Sequence, residues 1–155
     1  MAFWTVCVSL CLLFALNASA CQSGWTQHGK RCFKVFNHAM IWKDAEMTCL
    51  DHGGNLASVH CHEENAFIKR LISSSESFWI GGNDAVSEGT WFWSDGSKMN
   101  VQLWNPGEPN NSGTTEHCIE MNHGGAKNWN DQECTNKLPF VCASADLSTS
   151  FTCPC

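Results

Sequence analysis

The chain has 155 residues and carries 15 acidic against 9 basic side chains, a formal charge of -6 at pH 7. That balance argues against nucleic acid or an anionic membrane surface as partner, since both need basic side chains to neutralise phosphates. A count of 11 cysteines is far more than the reducing cytosol favours and marks an exported, disulfide-built protein.

In chain order, residues 1–20 contain no charged side chain, run apolar from Val6 to Leu16, and end in Ala18-Ser19-Ala20, the small-x-small pattern of a secretory cleavage site. They read as a signal peptide removed after Ala20, because the apolar run falls short of the roughly 20 residues that a membrane-spanning helix needs. The mature chain, residues 21–155, is then expected to be secreted, soluble and without membrane insertion, with a length that suits one domain and a modest core. Cys7 and Cys11 leave with the signal, so nine of the 11 cysteines remain: Cys21, Cys32, Cys49, Cys61, Cys118, Cys134, Cys142, Cys153 and Cys155. Spacing alone does not give their pairing, and an odd number leaves at least one thiol free or bonded to a second chain.

Residues 21–32 enclose G-W-T-Q-H-G-K-R between two cysteines and predict a hairpin. In residues 42–50 apolar Trp42, Ala45, Met47, Cys49 and Leu50 interleave with Lys43, Asp44 and Glu46, which predicts a helix stopped by Gly53-Gly54. A second helix is expected to start near Ser58 or His60 and run to residue 72, burying Ala66, Phe67, Ile68 and Leu71. Beyond residue 77, F-W-I-G-G-N-D, W-F-W-S-D-G and C-I-E-M read as short strands between Gly, Asn and Asp turns, and L-P-F-V-C-A as a closing strand. Two helices followed by strands and long loops make an α+β domain rather than an alternating parallel sheet. Residues 82–129 are loop-rich for a compact domain, and a metal and a disulfide are the available means of holding them. Residues 144–155, small and polar before Cys153 and Cys155, read as a tail outside the core.

The chemistry gathers between Trp104 and Cys134. Glu108, Asn110, Glu116, Asn130 and Asp131 offer three carboxylates and two amides in a loop that Cys118 and Cys134 can close. An all-oxygen set suits a hard cation, and calcium, taking roughly 6 to 8 oxygens, fits it better than zinc, which prefers Cys and His. Adjacent hydroxyls of a sugar can complete such a shell. Each carboxylate or amide has a second polar atom left for a hydroxyl, so the same five residues are expected to bind carbohydrate as well as metal.

With these residues in view, residues 21–143 resemble a C-type lectin domain of the long form. The resemblance rests on the C-x10-C hairpin, W-I-G-G at 79–82, F-W-S-D-G at 92–96, the E-P-N triplet at 108–110, Glu116 two residues before Cys118, W-N-D at 129–131, and P-F-V-C at 139–142. The compact form is most similar to small soluble lectins of fish, a group that includes the type II antifreeze proteins. It implies two helices packed on small antiparallel sheets and disulfides Cys21–Cys32, Cys49–Cys142 and Cys118–Cys134. It also implies calcium on the five oxygen ligands, a cis Glu108–Pro109 bond, and the mannose-type hydroxyl preference that accompanies E-P-N. Cys61, Cys153 and Cys155 lie outside that pattern and are candidates for intermolecular bonds, hence a disulfide-linked homodimer or larger homo-oligomer. For a second calcium site of some relatives, Asp84 and Glu88 match, whereas Asn111 and His117 replace aspartates.

The expected function is therefore a secreted, calcium-dependent, mannose-type lectin recognising microbial or other cell-surface glycans in innate immunity, without enzymatic activity. No Ser-His-Asp, phosphate-binding or nucleophilic-Cys constellation is recognisable. Two other functions fit the same resemblance: ice binding of the type II antifreeze kind, and recognition of a protein partner with calcium only ordering the loop. Asn110-Asn111-Ser112 is also a glycosylation sequon, and a glycan there would remove a metal ligand; the five-ligand set is the rarer pattern and is preferred. His60-Cys61-His62 is a tempting zinc cluster, but alternate residues at a helix start point apart. The tryptophans are expected to support core and loops rather than form a sugar-stacking platform.

Overall fold

A computed structural model describes residues 21–145. The expected cleavage after Ala20 and the expected intermolecular roles of Cys153 and Cys155 concern residues outside that range.

β1 (Thr26–His28) and β2 (Arg31–Met40) form the expected antiparallel hairpin, turning at Gly29, whose φ of 59° suits glycine. Helix α1 (Trp42–Asp51) follows the predicted span, and its buried face holds Ala45 and Cys49. After β3 (Asn55–Leu56), helix α2 (His62–Leu71) begins later than expected. Residues before it are drawn into a polar network instead: Ser58 accepts from Arg31 Nη2 at 2.9 Å and donates to Asp95, while His60 N–H donates to Glu64 Oε2 at 2.8 Å. Cys61 at the helix start is fully extended, with φ -155° and ψ 167°.

The buried face of α2 also differs from the apolar stripe expected. Ile68 is buried, but Ala66, Phe67 and Leu71 are only half-buried, and Glu64 and Asn65 lie inside. Glu64 pairs with Arg31 of β2, and Asn65 Oδ1 accepts the Trp129 indole N–H at 3.0 Å. Polar groups go inside when each finds its partner there.

The remaining strands are β4 (Phe78–Asn83), β5 (Phe92–Trp93), β6 (Glu116–His123), β7 (Asn128–Glu133) and β8 (Leu138–Ala145). They complete one eight-stranded sheet of order β1-β2-β8-β4-β6-β7, with β3 on β8 and β5 on β4. The sheet is mixed, because β4 runs parallel to β8 where Trp79 pairs with Phe140. Strand β7 was not anticipated, since N-W-N-D-Q-E carries no apolar alternation. The two glycines of W-I-G-G have a packing reason: a Cβ on Gly81 would come within 2.6 Å of the Leu56 carbonyl, and one on Gly82 within 2.2 Å of Ile119 Cδ1.

One core cluster gathers Phe33, Ile68, Ile80, Trp93, Ile119 and Trp129 among others; a second surrounds Cys49, Trp79, Phe140 and Cys142. Three disulfides pair as the resemblance implied: Cys21–Cys32, Cys49–Cys142 and Cys118–Cys134. The second spans 93 positions and ties α1 to β8, for which loop-closure entropy gives about 4 to 5 kcal/mol. The third fastens β6 to the end of β7, the hairpin on which the site is built.

Candidate functional site

Two parts of the chain carry the five oxygen-bearing residues. Glu108 and Asn110 ride on the long connection between β5 and β6, whereas Glu116 opens β6 and Asn130 and Asp131 lie within β7. The loop expected to carry all five thus carries two, and the β6–β7 hairpin holds the other three.

The connection is stitched to β7 before it reaches the site. Trp129 N–H donates to Leu103 O at 3.0 Å and Asn105 N–H to Trp129 O at 2.8 Å. The Asn105 side chain bridges to the hairpin, donating to His123 O at 3.0 Å and accepting from Asn128 N–H at 3.2 Å. Glu108 N–H closes the turn on Asn105 O at 3.0 Å, and the Glu108–Pro109 bond is cis, as the resemblance implied. Past Pro109, Asp131 takes over. Its Oδ1 accepts Asn110 N–H at 3.0 Å and its Oδ2 accepts Asn111 N–H at 2.7 Å. Asn111 occupies the left-handed region at φ 44°, where Asn is better tolerated than most residues, and its Oδ1 accepts Glu116 N–H at 3.1 Å. Glu116 Oε2 in turn accepts Ser112 N–H at 2.8 Å.

These contacts hold three carboxylates of one sign together. Asp131 is 1% exposed, and Glu108 Oε2 is buried with no hydrogen-bond partner among the described residues. Burial, then the charges of Asp131 and Glu116, lift the Glu108 carboxyl above its usual range. Glu116 is lifted too, by burial first and by Asp131, Glu120 and Glu133, against the Ser112 N–H that lowers it. A cation answers both features, neutralising the repulsion and giving the orphaned oxygen a partner. With carboxylate and amide oxygens as the donors, the residues present fit calcium.

Asn130 is 6% exposed and donates from Nδ2 to Glu120 Oε1 at 2.9 Å; Glu120, 2% exposed, also faces His123 Nδ1 at 2.7 Å. Reading C-I-E-M as a half-buried strand missed Glu120. The signal available was that Ile119 and Met121, on the opposite face, already filled one side of the strand, so a buried Glu needed a polar partner on the other.

At the positions compared with a second calcium site, Asn111 serves the loop as described, and His117 stands against Asp84 and Glu88, with Nδ1 3.0 Å from Asp84 Oδ1 and 3.5 Å from Glu88 Oε2. Gly89 N–H donates to the other Asp84 oxygen at 2.8 Å. The buried Asp84 therefore has partners on both oxygens from the chain itself. In the His60-Cys61-His62 stretch, the His60 ring turns to Ser58 Oγ at 3.1 Å, Cys61 is buried without a disulfide partner among the described residues, and His62 is exposed. The tryptophans meet their expected role: Trp79, Trp91, Trp93 and Trp129 are buried, and Trp25, Trp42 and Trp104 are half-buried.

A mixed sheet with two helices, three disulfides in this pairing and an oxygen-lined site on a β-hairpin define a C-type lectin-like fold. The family described as the Lectin C-type domain matches residues 38–144, and the chain belongs to that family. Among its relatives, the galactose-specific lectin nattectin of Thalassophryne nattereri is 49% identical over 129 residues, covering 81% of this chain and 80% of the relative. The lactose-binding lectin l-2 of Anguilla japonica is 44% identical over 136 residues, covering 84% and 81%. Among solved structures, the herring type II antifreeze protein superposes with a TM-score of 0.77 at 38% identity, covering 81% of this chain and 98% of that one. Family and relatives make this a non-enzymatic binding domain of the carbohydrate-recognising kind. No helix among the described residues is long and apolar enough to cross a membrane.

Proposed function

We propose that the protein is a secreted lectin that binds a terminal sugar through calcium held by Glu108, Asn110, Glu116, Asn130 and Asp131. The observation that carries this reading is the buried Glu108 Oε2, without a hydrogen-bond donor among the described residues and set among like-charged neighbours whose repulsion a bound cation would relieve at neutral pH. Bound there, calcium supplies electrostatic attraction to a pair of sugar hydroxyls. The chain's own part is to accept hydrogen bonds with the carboxylates and donate them with the amides, which a vicinal hydroxyl pair can match on both sides. The E-P-N triplet favours the mannose-type hydroxyl pair.

A second specificity is favoured by the comparisons, since two relatives at 49% and 44% identity are named for galactose and lactose. Competition decides between them: a mannoside that displaces the protein from an immobilised glycan supports the triplet, and displacement by galactoside alone replaces that reading while keeping the mechanism. The likeness to an antifreeze protein makes ice binding a further reading, which thermal hysteresis without any glycan retention would establish. A shallow site reading one hydroxyl pair binds a monosaccharide at about the millimolar level, roughly -4 kcal/mol. Useful avidity then comes from several linked sites, for which Cys153 and Cys155 are the candidate cross-links; Cys61, expected as a third, is buried at 7% exposure and out of reach of a second chain. Microbial or other cell-surface glycans presented in repeated arrays, as targets of innate immunity, suit such an assembly.

A further inference from the structure

We infer that Glu120, a residue outside the five-ligand set, is the positioning residue that turns the Asn130 amide oxygen toward the cation and leaves its nitrogen as a donor. The inference rests on the calcium reading above. Glu120 and Asn130 face each other across β6 and β7, and both are buried, at 2% and 6% exposure. Asn130 Nδ2 lies 2.9 Å from Glu120 Oε1. A carboxylate can only accept, so it selects the NH2 end of the amide, and the planar geometry then turns Oδ1 the opposite way. Without that partner the two ends of an asparagine are nearly the same size, and either fits the space. An amide nitrogen has two hydrogens: one goes to Glu120, and the second stays available for a sugar hydroxyl. One buried carboxylate thereby fixes both the metal-facing oxygen and the ligand-facing donor.

His123 holds Glu120 in turn. Its Nδ1 is 2.7 Å from the same Oε1, and its backbone carbonyl accepts from Asn105, the residue on whose carbonyl Glu108 N–H closes the turn. The chain of contacts therefore runs from the E-P-N connection, through His123 and Glu120, to Asn130. Partners that orient a metal ligand in this way commonly contribute 10- to 100-fold in metal affinity.

The test compares Glu120→Leu, which removes the acceptor, with Glu120→Gln, which keeps an acceptor oxygen of the same shape. Two readouts are taken on the purified folded proteins: calcium affinity by calorimetry, and the side-chain NH2 signals of Asn130 in chelator, assigned by their loss in Asn130→Asp. The expected result is about 10- to 100-fold weaker calcium binding for Glu120→Leu, with recovery of most of it in Glu120→Gln. One of the two Asn130 amide hydrogens should exchange slowly with solvent in the unsubstituted protein and in Glu120→Gln, and neither should in Glu120→Leu. A structural role alone predicts otherwise: a lower melting temperature in chelator with unchanged calcium affinity in the folded fraction, which overturns the inference. Should Glu120→Leu not fold, unprotected Asn130 hydrogens in the unsubstituted protein overturn it equally. If that protein binds calcium but its Asn130 amide is unprotected, this inference alone falls. If it binds no calcium while the amide is protected, the calcium reading falls and takes the positioning role with it.

Discussion

Replacing Asp131 by Asn separates the two tasks that this carboxylate performs. It is 1% exposed and anchors the E-P-N connection through Asn110 N–H at 3.0 Å and Asn111 N–H at 2.7 Å, and its charge acts on both Glu108 and Glu116 in the proposed calcium site. Asparagine has the same shape but only one acceptor oxygen, so one of the two charge-assisted bonds is lost, a cost of about 1.5 to 3 kcal/mol. Losing the charge also relieves repulsion on Glu108 and Glu116, whose carboxyls Asp131 pushes up, and this offsets part of that cost without calcium. In chelator the variant should therefore melt only slightly below the unsubstituted protein. With calcium at 100 times its dissociation constant, linkage stabilises the unsubstituted protein by about 2.7 kcal/mol. In a domain of this size that corresponds to a rise of roughly 10 °C. Asp131→Asn should show little of that rise. Thermal unfolding followed by circular dichroism, with and without calcium, measures all four midpoints. An equal calcium-dependent rise in both proteins would refute the assignment of Asp131 as a ligand.

Further outcomes follow from other contacts. Glu108 and Glu116 titrate above their ordinary range in the calcium-free fold, so their ionised forms destabilise it, and chelated protein should gain stability as pH falls through those raised values. Protons meanwhile displace calcium, and midpoints with and without calcium should converge as pH nears the ordinary glutamate value of about 4.3. Scans across that pH range check the sign. Glu64→Leu removes the carboxylate partner of Arg31, which keeps its bonds to Ser58, and should cost about 1.5 to 3 kcal/mol in urea unfolding without altering calcium affinity in the folded protein. Removing Cys118–Cys134 as a Ser/Ser pair opens a loop of 16 positions, which loop-closure entropy puts at about 3 kcal/mol, and should weaken calcium binding through the loosened hairpin. Gly81→Ala brings a methyl against the Leu56 carbonyl and should destabilise by about 1 to 3 kcal/mol.

Punctuation and motif made much of this fold legible in the sequence. Gly29 and the flanking cysteines marked the first hairpin, 3.6-residue spacing gave α1, and W-I-G-G marked a strand whose glycines meet a carbonyl and an isoleucine too closely for any side chain. What stayed hidden were elements whose burial depends on distant partners. N-W-N-D-Q-E has no apolar alternation, and it becomes β7 because Asn130 finds Glu120 and Asp131 finds two backbone donors of the connection. The inner face of α2 escaped for the same reason, because Glu64 and Asn65 look like surface residues until Arg31 and Trp129 are placed beside them. The five candidate oxygen ligands were visible as residue types. Their distribution between one connection and one hairpin, and the carboxylate behind Asn130, required the register of β6 on β7.

The central claim, sugar binding through calcium at this site, is tested most directly by passing purified mature protein over immobilised mannose and immobilised galactose, first in calcium and then in chelator. The account predicts retention in calcium and release by chelator, with the retaining column naming the hydroxyl pair. Retention that persists in excess chelator would contradict it, as would flow-through on both sugars by protein that binds calcium.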